Sequence, residues 1–146
     1  MRRTMFGILT AVALAATGCA SMDSGNAPKQ PLYDRLGGKG AIQAVVDDFI
    51  GNVAADARIN PRFANADIPR LKTKLVEQIC EASGGPCKYT GATMLDAHRG
   101  MNVTDAEFNA LVEDLVKALD KFKVPSQEKG ELLSAIGGMK PQIVGK

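Results

Sequence analysis

The sequence predicts an all-α protein, and three observations lead to that prediction. Apolar residues recur at helical spacings of three and four positions, and no stretch alternates with the period of two that a half-buried strand needs. The 15 glycines and 7 prolines interrupt this pattern, which favours several short helices over one coiled coil. A hydrophobic content of 45% is enough to build a core and excludes a disordered chain.

The first residues are predicted to lie outside the folded domain. Arg2 and Arg3 precede an apolar run over residues 5–16, which is too short to anchor stably across a bilayer. A positive start, a short apolar run and small residues after it are typical of a secretory signal peptide. We assign the signal to residues 1–18.

Cys19 follows small residues in a pattern that resembles the cleavage site of bacterial lipoproteins. We therefore expect cleavage before Cys19 and lipid on its sulfur and new amino group, which would hold the chain in a membrane. A plain signal peptide cut nearby is the alternative. Residues 19–30 are small and polar and are predicted to be a flexible tether. The expected location is the bacterial cell envelope, facing the periplasm, and Ala20 favours the outer membrane.

Residues 31–146 have the length of one domain with one core. The whole chain has 18 basic and 16 acidic residues, so 16 of each remain once Arg2 and Arg3 are removed. A neutral mature chain offers no electrostatic surface for nucleic acid. We therefore expect no nucleic-acid partner.

The helices are assigned in chain order from their apolar faces. After Gly37-Gly38, the first long face contains Ile42, Val45, Val46, Phe49, Ile50 and Val53. After Pro69, a first-turn proline, the second contains Leu71, Leu75 and Ile79. A short helix with Met94, Leu95 and His98 ends at Gly100. A capping box over 104–107 precedes the strongest face, which contains Phe108, Leu111, Val112, Leu115, Val116 and Leu119. Ser126 is predicted to cap a last helix with Leu132, Leu133 and Ile136.

His98 is the single histidine of the chain, which limits the chemistry available. A zinc site of several histidines and a haem held by two histidines are both excluded. A covalent c-type haem is also excluded, because the chain has no Cys-x-x-Cys-His. His98 is therefore either the one axial ligand of a metal-bearing cofactor or an ordinary structural side chain.

Cys80 and Cys87 flank Gly84-Gly85-Pro86 in the segment that leads to the short helix. Export would place both cysteines in an oxidising compartment, where we expect them to form a disulfide. Two free thiols are the alternative. The glycine-rich segment 82–94 has weak periodicity and suits a loop wrapped over a cofactor, although a solvent loop is the simpler reading.

Several motifs together resemble one known family in order and spacing. They are Leu32-Tyr33-Asp34-Arg35-Leu36-Gly37-Gly38, Val46-Asp47-Asp48-Phe49, Gly84-Gly85-Pro86, Tyr89-Thr90-Gly91 and Ala97-His98. This combination resembles the group I truncated (2/2) haemoglobins over residues 32–144. The resemblance implies a two-over-two helical sandwich around one non-covalent haem b.

The resemblance also implies roles for particular residues. His98 falls on the proximal iron ligand, and Phe63 falls on the phenylalanine that stacks on the haem. Lys74 falls where a basic residue can pair with a propionate, although a solvated surface charge is the simpler reading. The implied distal residues are Ile50, Leu71 and Leu75, and Phe49 beside them is included among the cofactor-binding positions. The implied wall residues are Ile68, Ile79, Met94, Met101, Val103, Phe108 and Val112, which could equally be ordinary core.

The distal positions depart from the family pattern. Many members carry tyrosine at the position of Ile50 and glutamine at that of Leu75, and these groups hydrogen-bond bound oxygen. Here all three distal residues are aliphatic. Bound oxygen is superoxide-like, and loss of a hydrogen bond to such a charged group costs about 1.5–3 kcal/mol. Nitric oxide and carbon monoxide depend less on that hydrogen bond. We therefore expect oxygen to bind weakly or leave fast, and nitric oxide and carbon monoxide to bind well.

The sequence thus predicts an exported, lipid-anchored haem protein that binds diatomic gases. Two alternatives stay open. One is a haem-free envelope lipoprotein that keeps only the globin scaffold for interaction with a partner. The other is a redox haem protein in nitric oxide or nitrite chemistry, with an unidentified reductase. No catalytic residue is predicted, because the distal side has no acid or base.

Overall fold

A computed structural model describes residues 29–146 of the 146-residue chain. The predicted signal peptide 1–18, the lipid site at Cys19 and most of the tether 19–30 lie outside the described residues. Within them the helices are α1 (Leu32–Arg35), α2 (Gly38–Ala55), α3 (Ile68–Ala82), α4 (Met94–His98), α5 (Asp105–Lys121) and α6 (Ser126–Gly137). Two 3₁₀ turns cover Asn60–Phe63 and Lys140–Gln142.

The prediction of an all-α protein is confirmed. Over residues 29–146 the only β contact is an isolated parallel bridge between Val103 and Val144. In the same range no helix is both long enough and apolar enough to span a bilayer.

The core forms where α2 crosses both α3 and α5, which are its principal packing partners. The predicted face of α2 is buried throughout, whereas the predicted faces of α3 and α5 are buried only in part. Val46, Cys80 and Leu119 are almost fully excluded from solvent. Helix α6 packs against α5 and α1. The pairs α2–α3 and α5–α6 therefore make the two layers of the sandwich, and α4 lies outside them.

The capping box of α5 and the first-turn position of Pro69 in α3 agree with the sequence predictions, and the start of α6 differs from them. Thr104 and Glu107 form the predicted capping box at α5. Asp67 caps α3 by accepting a hydrogen bond from the backbone nitrogen of Arg70 at 3.1 Å. The prediction that Ser126 caps α6 is wrong, because Ser126 is already helical and Pro125 before it is the capping residue. Because the backbone of Pro125 is the last extended one, the helix starts at Ser126, one residue earlier than a capping role for Ser126 implies.

The last residues assigned to the tether lie against the domain. The Lys29 ammonium is 2.9 Å from the Glu131 carboxylate on α6, and the Gln30 carbonyl accepts a hydrogen bond from Arg35 at 3.1 Å. Arg35 in turn pairs with Glu128 at 2.7 Å and with Glu131. Lys29 and Gln30 therefore both contact the folded domain, Lys29 at α6 and Gln30 at α1.

Candidate functional site

His98 is the last residue of α4 and is half-buried. Its Nδ1 atom is 2.8 Å from the Met94 carbonyl oxygen, one turn earlier. Because a carbonyl only accepts hydrogen bonds, Nδ1 carries a proton, and in the neutral ring Nε2 then keeps its lone pair. A neutral imidazole oriented through one nitrogen is a ready metal ligand through the other.

Helix α4 has only five residues, and local contacts define both of its ends. The Thr93 hydroxyl accepts a hydrogen bond from the Asp96 backbone nitrogen at 3.1 Å and donates one to the Asp96 carboxylate at 2.7 Å. That hydrogen bond, followed by the one from Arg99 at 2.8 Å, lowers the pKa of Asp96. Gly100, with φ of +79°, then turns the chain away from the helix. A helix this short is unstable alone, so tertiary contacts must hold it.

One such contact joins the loop after His98 to the first 3₁₀ turn. The Arg62 guanidinium donates to the Met101 carbonyl at 2.7 Å and to both carboxylate oxygens of Glu107 at 2.8 and 3.0 Å. Glu107 also caps α5 through Thr104. The Arg62 hydrogen bonds are the largest cause that lowers the pKa of Glu107 to about 2. The turn that carries Phe63 is therefore fixed to the loop that follows His98.

The C-terminal residues form a second contact with that loop. The backbone nitrogen of Asn102 donates a hydrogen bond to the Lys146 carbonyl at 2.6 Å, and the backbone nitrogen of Gly145 donates one to the Val103 carbonyl at 2.9 Å. The Lys140 ammonium lies 5.4 Å from the centre of the Phe108 ring, within the range of a cation–π interaction. These contacts attach the end of the chain to the start of α5.

The apolar residues predicted at the site divide into two groups by burial. Phe49, Ile50, Ile79 and Phe108 are buried. The half-buried group contains Phe63, Ile68, Leu71, Leu75, Met94, Met101, Val103 and Val112. Apolar side chains left partly open on several elements provide surface that a flat hydrophobic ligand could cover. These apolar side chains, together with the Nε2 atom of His98 as a metal ligand, fit a haem.

Lys74 lies in a polar cluster at the middle of α3. Its ammonium is 2.9 Å from the Glu77 carboxylate and also contacts the Thr90 hydroxyl. Thr90 donates to the same carboxylate through its backbone nitrogen at 3.1 Å and its hydroxyl at 2.8 Å. The hydrogen bond from Lys74, followed by those from Thr90, lowers the pKa of Glu77 to about 2. Lys74 is therefore paired within the protein, and its contact with a propionate stays a prediction.

Cys80 and Cys87 are joined by a disulfide, with their Cα atoms 5.7 Å apart. Between them the Gly85 amide donates to the Cys80 carbonyl at 2.8 Å. A Cβ atom at Gly85 would lie 2.4 Å from the Tyr33 ring and 2.7 Å from the Cys80 sulfur. The loop that leads to α4 is therefore packed closely against the end of α3 and the residues of α1.

Sequence reasoning missed the polar residues that hold α4 and its loops. Arg62 and Gln78 are single polar residues in or beside apolar segments, and no repeated spacing marks either of them. Glu77 stands three residues after Lys74, so a helical ion pair was readable there. The role of Thr90 depends on a contact with Glu77 across thirteen positions, which no local pattern reveals.

Comparison with known proteins agrees with this geometry. The family model described as bacterial-like globin matches residues 31–144. The group 1 truncated haemoglobin GlbN of Mycolicibacterium paratuberculosis is 39% identical over 112 residues, which cover 77% of this chain and 82% of that protein.

Two solved structures share the fold. The Fe(III) form of the Tetrahymena pyriformis truncated haemoglobin has a TM-score of 0.77 and 32% identity, covering 80% of this chain and all of the other. The 2/2 haemoglobin of Synechococcus sp. PCC 7002, solved with covalently attached haem, has a TM-score of 0.70 and 32% identity, covering 73% of this chain and 90% of the other. The chain belongs to the bacterial-like globin family and, within it, to the group 1 truncated haemoglobins.

Proposed function

We propose that this globin binds one haem b without a covalent bond and holds small diatomic gases, nitric oxide and carbon monoxide more tightly than oxygen. The observation that carries the proposal is the state of His98. Its Nδ1–H donates a hydrogen bond to the Met94 carbonyl, which leaves the Nε2 lone pair of the neutral ring for a metal. When bound, haem would supply an iron atom that His98 could ligate and that could take up a gas.

The chain's own residues would hold the cofactor in two ways. The half-buried apolar side chains of α3, α4 and α5 would cover its faces and exclude water from them. Phe63, in the 3₁₀ turn fixed by Arg62, would stack on it. Lys74 would meet a propionate by leaving or sharing its pairing with Glu77.

The distal assignment rests on spacing as well as on burial. The Tetrahymena pyriformis protein was solved with mutations at a tyrosine and at two glutamines, and these positions are separated by 21 and then 4 residues. Ile50, Leu71 and Leu75 have the same separations. All three lie in or against the apolar core, and none offers a hydrogen bond. A polar gas ligand would therefore lack the hydrogen bond that a tyrosine or glutamine supplies.

Substitution at Leu75 tests this explanation. Leu75→Gln adds a donor of similar volume, and Leu75→Met is the matched control without a donor. A hydrogen bond to a charged group contributes about 1.5–3 kcal/mol, or about a ten- to hundredfold change in rate. We expect Leu75→Gln to slow oxygen dissociation by that factor in stopped-flow measurements. Slow release by the unmodified protein, unchanged in Leu75→Gln, would contradict the proposal.

We also propose that the chain is exported and lipid-anchored through Cys19, facing the periplasm. The N-terminal pattern supports this proposal, and the Cys80–Cys87 disulfide suits an oxidising compartment. The test is cell fractionation with metabolic labelling by a fatty acid. We expect labelled protein in the membrane fraction and unlabelled, released protein for Cys19→Ala. Unmodified protein in the cytoplasm would contradict it.

Gas binding is favoured over the redox alternative because Ile50, Leu71 and Leu75 include no acid or base to move a proton. Participation of a reductase would show as electron transfer to the ferric protein. The haem-free alternative is decided by the absorption spectrum of protein purified from haem-sufficient cells. Colourless protein that takes up no added haem would support it.

A further inference from the structure

Gln78 makes an unusual pair of contacts on the side of α3 that approaches α4. Its side-chain nitrogen lies 3.3 Å from the sulfur of Met94 and 3.5 Å from the sulfur of Met139. Thioether sulfur is a weak acceptor and never a donor, so the amide nitrogen is the end of Gln78 that suits this place. An amide oxygen there would face two sulfur atoms with lone pairs of their own.

These contacts join three parts of the fold at one side chain. Gln78 belongs to α3, Met94 is the first residue of α4, and Met139 follows α6 just before the second 3₁₀ turn. That turn itself packs against α4. One amide group therefore links the helix that bears His98 to the long helix across from it and to the end of α6.

Met94 connects this link to the imidazole. Its sulfur accepts from Gln78, and its backbone carbonyl accepts the Nδ1 proton of His98 at 2.8 Å. Any shift of Met94 therefore moves the acceptor that orients the histidine ring. Because α4 has five residues and little stability of its own, such a shift is opposed mainly by contacts from outside the helix.

We propose that Gln78 is a positioning residue that fixes α4 and thereby sets the direction of His98 Nε2 toward the iron. This inference rests on the proposed haem ligation by His98. Gln78 acts on His98 through Met94.

The test compares two substitutions at Gln78 with a matched glutamine elsewhere. Gln78→Glu keeps the shape of the side chain but replaces the donor, and Gln78→Leu removes all polarity. The control is Gln43→Leu on the exposed face of α2. The primary measurement is the iron–histidine stretching frequency of the ferrous protein by resonance Raman spectroscopy, which reports ligand geometry rather than global stability.

We expect both Gln78 variants to shift this frequency and to lose haem about fivefold faster to an acceptor globin. A factor of five in rate corresponds to about 1 kcal/mol. Gln43→Leu should match the unmodified protein in both measurements. Met139→Leu keeps the packing and removes one acceptor, so its effect should be smaller and should not add to that of Gln78→Leu.

The outcomes separate this inference from the function on which it rests. If the unmodified protein shows no iron–histidine band, the proposed function fails and this inference fails with it. If that band is present and stays in place in Gln78→Leu, Gln78→Glu and Met139→Leu, only the role of Gln78 is overturned.

Discussion

Removal of the Cys80–Cys87 disulfide should destabilise the domain by an amount that follows from the length of the loop. Cys80 and Cys87 lie seven positions apart and close a loop of eight residues, for which the chain-entropy relation gives about 2.5 kcal/mol. Cys80 is fully buried, so alanine is the better replacement because a serine hydroxyl there would lack a polar environment. The perturbation is Cys80→Ala with Cys87→Ala, or reduction of the unmodified protein.

The same energy can be expressed as a melting temperature. A domain of this length unfolds with an entropy of about 0.25 kcal/mol per kelvin. A loss of about 2.5 kcal/mol therefore lowers Tm by about 10 °C. Binding of haem raises Tm by mass action, so the haem-free protein gives the cleaner comparison.

The assay is urea unfolding of the haem-free protein with and without reductant, accompanied by mass spectrometry after thiol blocking. The double alanine variant controls for other effects of the reductant and should not respond to it. Equal unfolding midpoints for oxidised and reduced protein would refute the loop-entropy reasoning. Two blocked cysteines in protein isolated from its native compartment would show that the bond is not formed there.

Three further substitutions test the packing and the charge network. Gly85→Ala should destabilise by about 1–3 kcal/mol, because its Cβ would lie 2.4 Å from the Tyr33 ring; a neutral result in urea unfolding would contradict this close packing. Leu119→Ala, at a position that is 1% exposed, should cost about 2–5 kcal/mol in the same assay, and a cost below 1 kcal/mol would show that the site collapses freely. Glu107 has a folded pKa of about 2 against an ordinary value of 4.5, so its stabilisation is full above pH 4.5 and is lost as the pH falls toward 2. Glu107→Gln should therefore flatten the pH dependence of stability in that window, and an unchanged pH profile would show that the pairing with Arg62 contributes nothing.

The helices could be predicted from the sequence, and His98 could be proposed as an iron ligand, because both leave strong local signals. The buried face of α2 follows helical spacing without exception, and the capping box at Thr104 marks the start of α5 within one residue. His98 needed no spatial information, since it is the single histidine of the chain and its neighbours resemble a known motif.

The polar contacts around α4 were not predictable, for a physical reason. Arg62 reaches Met101 across 39 positions, and Gln78 reaches Met139 across 61. A hydrogen bond between distant residues places no periodic constraint on the sequence around either partner. The placement of Lys29 on Glu131 is a similar case, because a lysine in a polar segment has the composition of a tether whether or not it docks.

The start of α6 shows how a local rule can mislead. Ser126 is a good capping residue by type, and Pro125 before it suggested a break just outside the helix. The structure places the last extended residue at Pro125, so Ser126 enters the first helical turn. Sequence alone does not choose between a helix capped by Ser126 and one capped by Pro125, because the two starts differ by a single residue.

The most direct test of the central claim is the absorption spectrum of the purified protein, compared with that of His98→Gly with and without added imidazole. We predict a haem spectrum with a ferrous carbon monoxide complex for the unmodified protein, its loss or alteration in His98→Gly, and recovery when imidazole occupies the space of the missing ring. Circular dichroism would establish that the variant stays helical. A colourless unmodified protein, or a variant whose ferrous spectrum is unchanged without imidazole, would contradict ligation of iron by His98.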